Sequence, residues 1–119
     1  MDRLWVGLGA IAGLTSVAMS AYVAHATQDL PAGAVQGLRD AVQMQGWHAL
    51  ALVATGVWAR RSSRLANLAG LAFAGGTVLF CGAVYAHTLG GMNVARLAPT
   101  GGFVLMSGWL LLGLSALRR

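Results

Sequence analysis

The chain has 119 residues, of which 57% are hydrophobic and only 9% are charged. A soluble globular fold is excluded, because soluble domains carry about 25% charged residues and this chain has too few to cover a water-facing surface. The net charge is +5, but all basic residues are arginines scattered between apolar blocks, a pattern that indicates membrane topology and no nucleic-acid partner.

Four stretches without Asp or Arg follow one another along the chain, at 4–28, 41–59, 65–95 and 97–117. About 20 apolar residues in a helix cross a hydrocarbon core of roughly 30 Å. The sequence therefore predicts transmembrane helices near 4–27, 35–59, 65–89 and 98–117. We expect an all-α, integral membrane four-helix transmembrane bundle that forms one domain over residues 1–119.

The first two segments each allow two interpretations. Arg3, the apolar run and an Ala-His-Ala triplet at 24–26 resemble a secretory signal, although the run is long for one. Before the second apolar run, the segment TQDLPAGAVQGLRDAV has helical spacing. We expect Asp29 to cap this helix and Pro31 to lie in its first turn. It is either a short interfacial helix or an extension of the second transmembrane helix.

Glycines and turn residues mark the remaining contacts and connections. RRSSR, at 60–64, predicts a tight turn, GGMNVARLAP a Gly-rich loop, and Pro99 the start of the fourth helix. Gly9 and Gly13 form a small-xxx-small pair, and Gly70 and Ala74 form a weaker one. Such pairs let helix backbones approach closely, either within this bundle or between copies in a homo-oligomer.

The arginines are unequally divided between the two ends of the predicted bundle. Both termini and the 60–64 turn carry Arg3, Arg60, Arg61, Arg64, Arg118 and Arg119, whereas the other loops carry only Arg39 and Arg96. Short arginine-rich loops stay in the cytoplasm. We therefore expect a multi-pass protein of the bacterial inner membrane with both termini cytoplasmic.

Unusual polar side chains occur at similar height in three predicted helices. Gln45 and His48 share a helix face at i, i+3, His25 ends the first helix, and Tyr85 lies near the end of the third. We expect all four in the outer half of the bundle, with His48 hydrogen-bonded to Gln45, Tyr85, Cys81, His25 or a bound molecule. The inner half is expected to be plain apolar packing, and Trp109 an ordinary bundle or interface aromatic.

The order of these residues on four helices resembles a known family. The segments are AYVAHA, QGWHALA, LFCGAVY and APTGGFVLMSGW. They are similar to the bacterial inner-membrane proteins of domain of unknown function 423, the YgdD-like proteins. The residues that carry the resemblance are Ala24, His25, Gln45, His48, Leu50, Ala51, Gly82, Tyr85, Pro99, Gly101, Gly102, Gly108 and Trp109. The resemblance implies an integral membrane protein and no particular activity.

Two functions remain open from the sequence. The first is a small non-enzymatic structural or accessory membrane protein, alone, as a homo-oligomer or in a larger membrane complex, in which His48 is a hydrogen-bonding residue between helices. The second is a redox or ligand-binding module that holds haem, copper or a quinone with His48, Gln45, His25 and Tyr85. No catalytic residue and no dedicated metal site is predicted, because Cys81 is unpaired and no acid lies inside one of the four apolar stretches.

Overall fold

The computed structural model describes residues 2–60 and 64–117, and these form four α-helices. They are α1 (Asp2–Ala26), α2 (Ala32–Ala59), α3 (Arg64–Gly90) and α4 (Leu97–Leu117). The all-α prediction is confirmed, and each predicted boundary lies within three residues of the observed one. The predicted RRSSR turn falls on residues 61–63, which lie outside the described residues.

Among the described helices, α1, α3 and α4 are long and apolar enough to cross a membrane. α2 is as long but less apolar, since its first half carries Gln36, Arg39, Asp40 and Gln43. It nevertheless runs antiparallel to α1 over most of its length, because Gly56 meets Val6 near the start of α1. α2 therefore covers the same height of the protein as the more apolar helices.

The segment before the second apolar run belongs to α2 itself. Of the two interpretations, the structure shows the extended helix, because α2 is continuous from Ala32 to Ala59. The expected cap at Asp29 is wrong. Pro31, with φ −57° and ψ 148°, occupies the cap position without a side-chain hydrogen bond. Asp29 lies two residues before this cap position, in an exposed turn.

The helices pack as two antiparallel pairs. α1 lies mainly on α2, α4 lies mainly on α3, and contact between α2 and α3 joins the pairs. The long axis of the molecule measures 51 Å and the shortest 17 Å, so the bundle is flattened. At one end, which we call the terminal end, lie Asp2, Ala59, Arg64 and Leu117. The opposite loop end holds Ala26, Ala32, Gly90 and Leu97.

Glycines set the closest contacts between the helices. A Cβ placed on Gly9 would lie 2.7 Å from the carbonyl oxygen of Ala49, and one on Gly76 would lie 2.8 Å from the side chain of Leu105. A Cβ on Gly13 would meet only the Cβ of Ala49, at an ordinary 3.8 Å. The Gly9–Gly13 pair is thus tight at one member only, and these glycines serve contacts within the bundle.

The buried core lies where the four helices meet, and it consists of Trp5, Ala51, Leu52, Ala69, Phe73 and Leu105. Large apolar side chains also cover the outer faces of α1 and α4, where Leu14 is 72% exposed and Phe103 is 69% exposed. Such a continuous apolar exterior is expected for a surface in contact with lipid rather than water.

α1 and α3 approach each other near the terminal end. The indole ring of Trp5 covers Gly70, where a Cβ would lie 2.5 Å from the ring. The Trp5 Nε1 donates a hydrogen bond to Asn67 Oδ1 at 2.8 Å. Towards the loop end, α1 and α3 are separated by a groove whose floor is α2.

The Gly-rich loop between α3 and α4 is confirmed. Gly91 has φ +66°, a left-handed conformation that glycine adopts without strain. The Met92 N–H closes the end of α3 by donating to the Ala86 carbonyl at 3.1 Å. α4 begins at Leu97, so Pro99 lies in its first turn, where its missing N–H is not needed.

Candidate functional site

Gln45 joins three helices through one buried amide. Its Nε2 donates to the carbonyl of Ala12 at 2.9 Å and to Thr15 Oγ1 at 2.7 Å, both on α1. Its Oε1 accepts a hydrogen bond from the Tyr85 hydroxyl of α3 at 2.8 Å. Both amide hydrogens are therefore donated, and we call Gln45, Thr15 and Tyr85 the glutamine cluster.

His48 is 3% exposed and has a partner at each ring nitrogen. Trp109 Nε1 of α4 donates to His48 Nε2 at 3.0 Å, and His48 Nδ1 lies 2.6 Å from the carbonyl oxygen of Met44. An indole N–H only donates, so Nε2 must be the acceptor. The proton is then on Nδ1, which donates to Met44, and the imidazole is the neutral tautomer.

Two aromatic rings pack against His48. Its ring centroid lies 5.8 Å from those of Phe73 and Trp109, and the Phe73 and Trp109 rings meet edge to face at 5.0 Å. Gly108 makes room for this packing, since a Cβ there would lie 2.8 Å from the Phe73 ring. We call His48, Phe73 and Trp109 the histidine cluster.

The predicted site residues therefore do not form one site. Gln45 and Tyr85 meet, but His48 bonds to neither of them, nor to Cys81 or His25. The prediction that one of these residues is its partner is wrong, because its side-chain partner is Trp109. Residues three apart on a helix differ by about 60° in direction around its axis. Here that angle is enough to aim Gln45 at α1 and α3 and His48 at α4.

His25 and His87 lie apart from both clusters, whereas Cys81 borders the same groove as Gln45 and Tyr85. His25 is exposed in the last turn of α1, and His87 is exposed, with Nδ1 3.0 Å from the Met92 carbonyl. Cys81 is buried, and its thiol donates to the Ala41 carbonyl at 3.2 Å. His25 is thus not part of a common site with His48, because α1 ends at Ala26 near the surface.

Sequence reasoning missed two side-chain partners in these clusters. Trp109 was expected to be an ordinary aromatic, and Thr15 was not singled out. The expectation of plain apolar packing in the inner half is also wrong, because Trp58 Nε1 donates to Ser115 Oγ at 2.9 Å near the terminal end. The signal was present in the residue types, since a buried indole N–H usually finds an acceptor.

The two clusters differ in what they leave available for chemistry. Both nitrogens of His48 are already paired, so a metal or haem iron could bind there only after the Trp109 hydrogen bond breaks. Within residues 2–60 and 64–117, no three His, Cys, Asp or Glu side chains form a group suited to a metal ion. Gln45 and Tyr85, in contrast, border the groove between α1 and α3.

Comparison with known proteins places the chain among small membrane proteins. Residues 19–102 match the family model described as a protein of unknown function, DUF423. The chain is 30% identical to a UPF0382 membrane protein of Haemophilus influenzae, an alignment that covers 92% of this chain and 90% of the relative.

Other relatives show the same extent of similarity. The UPF0382 inner membrane protein YgdD of Escherichia coli K12 is 30% identical over 98% of this chain and 92% of its own length. A UPF0382 membrane protein of Staphylococcus haemolyticus is 30% identical over 98% of this chain and 97% of its own. No solved structure matches. The chain is therefore a multi-pass inner-membrane protein, and it belongs to the DUF423 family.

Proposed function

We propose that this protein is a non-enzymatic structural or accessory component of the inner membrane. The observation that carries the proposal is the use of the polar side chains inside the bundle. The Gln45 amide and the His48 imidazole form their hydrogen bonds with other helices or with the backbone of α2. Such bonds hold transmembrane helices together, at about 0.6–2 kcal/mol each.

The distribution of acids supports the absence of enzymatic activity. Asp29 and Asp40 are exposed near the loop end, and Asp2 begins α1 at the terminal end, where it pairs with Arg60 at 3.1 Å. His48 is instead surrounded by aromatic rings. A general base needs a free ring nitrogen and a nucleophile within reach, but His48 Nε2 already accepts from Trp109 and its other contacts supply no nucleophile.

The exterior supports an accessory role. Apolar side chains cover the outer faces of α1 and α4, and a face of this kind can meet either lipid or another membrane helix. The partner would be a second copy of this chain or a larger membrane complex. The redox alternative, with haem, copper or a quinone at His48, has no observation in its favour.

A spectrum and a metal analysis of the protein, purified from its own membrane in mild detergent, test this proposal. We expect no visible absorption band and no stoichiometric metal. His48→Gln should keep the fold, because glutamine can still accept from Trp109. A visible band or a bound metal that is lost in His48→Gln would overturn the non-enzymatic assignment and favour the redox module.

We also propose that both termini are cytoplasmic, on the strength of the arginine asymmetry in the sequence. A reporter that is active only in the periplasm should be active when inserted near Gly91 and inactive when fused after Arg119. The opposite pattern would reverse the orientation. A second reporter, active only in the cytoplasm, controls for expression. It should be inactive near Gly91 and active after Arg119.

A further inference from the structure

A polar cleft lies between the end of α1 and the beginning of α2. It consists of two adjoining cavities of about 350 and 460 Å³, and both are lined by Val23, Ala24, Gln36 and Arg39. The first is also lined by Ser20, Asp40 and Gln43. Ala24, Gln36 and Arg39 are exposed, so the cleft opens on the outside of the bundle. We call it the interfacial cleft.

Helix packing accounts for only part of this segment of α2. Leu38 and Ala41 are completely buried and hold the segment against the rest of the bundle. Arg39 forms no ion pair or hydrogen bond within residues 2–60 and 64–117. Arg60, at the other end of α2, instead pairs with Asp2 at 3.1 Å. The Arg39 guanidinium is therefore available to a molecule outside the chain.

The height of the cleft indicates which molecules can reach it. The bundle is 51 Å long and a hydrocarbon core is roughly 30 Å thick, so about 10 Å at each end lies among lipid headgroups. Arg39 is seven residues from Ala32, or about 10 Å along α2. Tyr22, exposed near the end of α1, is of a type that is enriched at this level. The cleft is thus at the height of the lipid phosphates.

Arg39 and Asp40 together define the charge of a headgroup that fits. A guanidinium presents its N–H donors in a planar fork that matches a phosphate. Asp40 lines the same cavity, where its Oδ1 accepts a hydrogen bond from Gln36 Nε2 at 2.9 Å. A carboxylate beside the arginine disfavours a headgroup that carries only negative charge. It favours one that carries a cation next to its phosphate.

Hydrogen bonding selects the kind of cation. A primary ammonium donates three hydrogen bonds, whereas a quaternary ammonium has no N–H to donate. The Asp40 carboxylate and the exposed Gln43 amide oxygen are acceptors in the same cavity. We propose that the interfacial cleft binds phosphatidylethanolamine, with the lipid phosphate at Arg39 and the ammonium at Asp40. This binding role goes beyond the structural role proposed above and does not depend on it.

Two other charged residues at the loop end provide matched controls. Arg96 and Asp29 are exposed, and neither lines the interfacial cleft. Arg39→Gln and Arg96→Gln remove the same charge from the same end of the bundle, and so do Asp40→Asn and Asp29→Asn. All four variants should fold, because each replaces an exposed side chain, and a thermal melt in detergent checks this.

The measurement is native mass spectrometry of the full-length protein, freed of lipid in mild detergent and titrated with one phospholipid at a time. The lipids have identical acyl chains. Phosphatidylcholine keeps both charges but lacks the N–H donors, and phosphatidylglycerol keeps the phosphate but lacks the cation. We expect phosphatidylethanolamine to bind at least five-fold more tightly than either. Glycerophosphoethanolamine, the same headgroup without acyl chains, should not displace it at equal concentration.

The variants then decide the assignment. Arg39→Gln should weaken phosphatidylethanolamine binding at least five-fold, and Arg96→Gln should leave it unchanged. Asp40→Asn should remove the preference over phosphatidylglycerol, and Asp29→Asn should keep it. Equal binding of the three lipids, or equal effects of the two arginine variants, would overturn the site. A preference that survives Asp40→Asn would overturn the role of Asp40, and displacement by glycerophosphoethanolamine would overturn the assignment to a lipid.

Discussion

The two sides of α2 use similar polar residues in opposite ways. On the side that faces α1 and α3, Gln45 forms three hydrogen bonds and borders a groove. On the side that faces α4, His48 forms one bond between helices and is enclosed by the Phe73 and Trp109 rings. A polar residue inside a membrane bundle is thus characterised by its contacts rather than by its type.

The difference has a physical basis in packing. Gly108 brings α4 close enough for the Phe73 and Trp109 rings to enclose His48. Between α1 and α3 the close contact is at Trp5 and Gly70, near the terminal end, and the helices are apart near Gln45. The histidine side is therefore closely packed, whereas the glutamine side borders an open groove.

The largest loss of stability should come from the close contact between Gly9 of α1 and the backbone of α2. Gly9→Ala should lower the free energy of unfolding by about 3 kcal/mol, because the new Cβ meets backbone atoms of Ala49 and Val53 that cannot move aside. Gly13→Ala, one turn along the same helix, should be neutral or slightly stabilising. Unfolding in mixed detergent micelles measures both, and equal losses would mean that the two glycines are packed alike.

Removing the two polar residues should show that the sides are unequal. Gln45→Leu should cost about 2 kcal/mol of unfolding free energy, since it removes three hydrogen bonds and leaves the Tyr85 hydroxyl without its acceptor. His48→Leu should cost about half as much under the same conditions. A larger loss for His48→Leu would reverse the comparison and make the histidine cluster the main polar contact.

The histidine side can be tested by a double-mutant cycle between His48 and Trp109. His48→Leu and Trp109→Phe should show a coupling free energy of about 1 kcal/mol, because each removes the same hydrogen bond. The phenylalanine keeps most of the packing against Phe73. Additive losses would indicate that the ring contacts, rather than the hydrogen bond, hold α4 to α2.

The smallest effect should be that of Thr77→Val. Its hydroxyl has no partner in the described chain, so replacing it with a methyl group should leave the unfolding free energy unchanged or raise it slightly. Thr55→Val, which loses the bond to the Ala51 carbonyl, should cost about 1 kcal/mol in the same measurement. A comparable loss at Thr77 would reveal a structural partner for that hydroxyl.

The sequence predicts the elements of this fold better than their contacts. Charged and polar residues end the apolar runs, so the helices could be placed to within three residues. The extension of α2 to Ala32 was harder to choose, because its first half reads as an interfacial helix. Tertiary packing decides it, since Leu38 and Ala41 of this segment are completely buried.

The pairing of polar groups depends on how each helix is rotated about its axis, which residue depth does not specify. Depth and spacing were sufficient to bring Tyr85 to Gln45. They were not sufficient for His48, whose partner lies on the more apolar α4. Nor could spacing reveal Thr77, because a threonine in a helix ordinarily bonds to its own backbone. Its exception is visible only in the folded chain.

The partner of His48 has a consequence for the assembly of the protein during synthesis. Helices emerge in chain order, so Gln45 can find Ala12 and Thr15 as soon as α2 is made. His48 must wait for Trp109, which lies in the last helix. A nascent chain that stops after α3 keeps an unpaired imidazole nitrogen in an apolar environment. The arrival of α4 therefore supplies the missing donor, and a chain without it carries a polar defect among the apolar side chains.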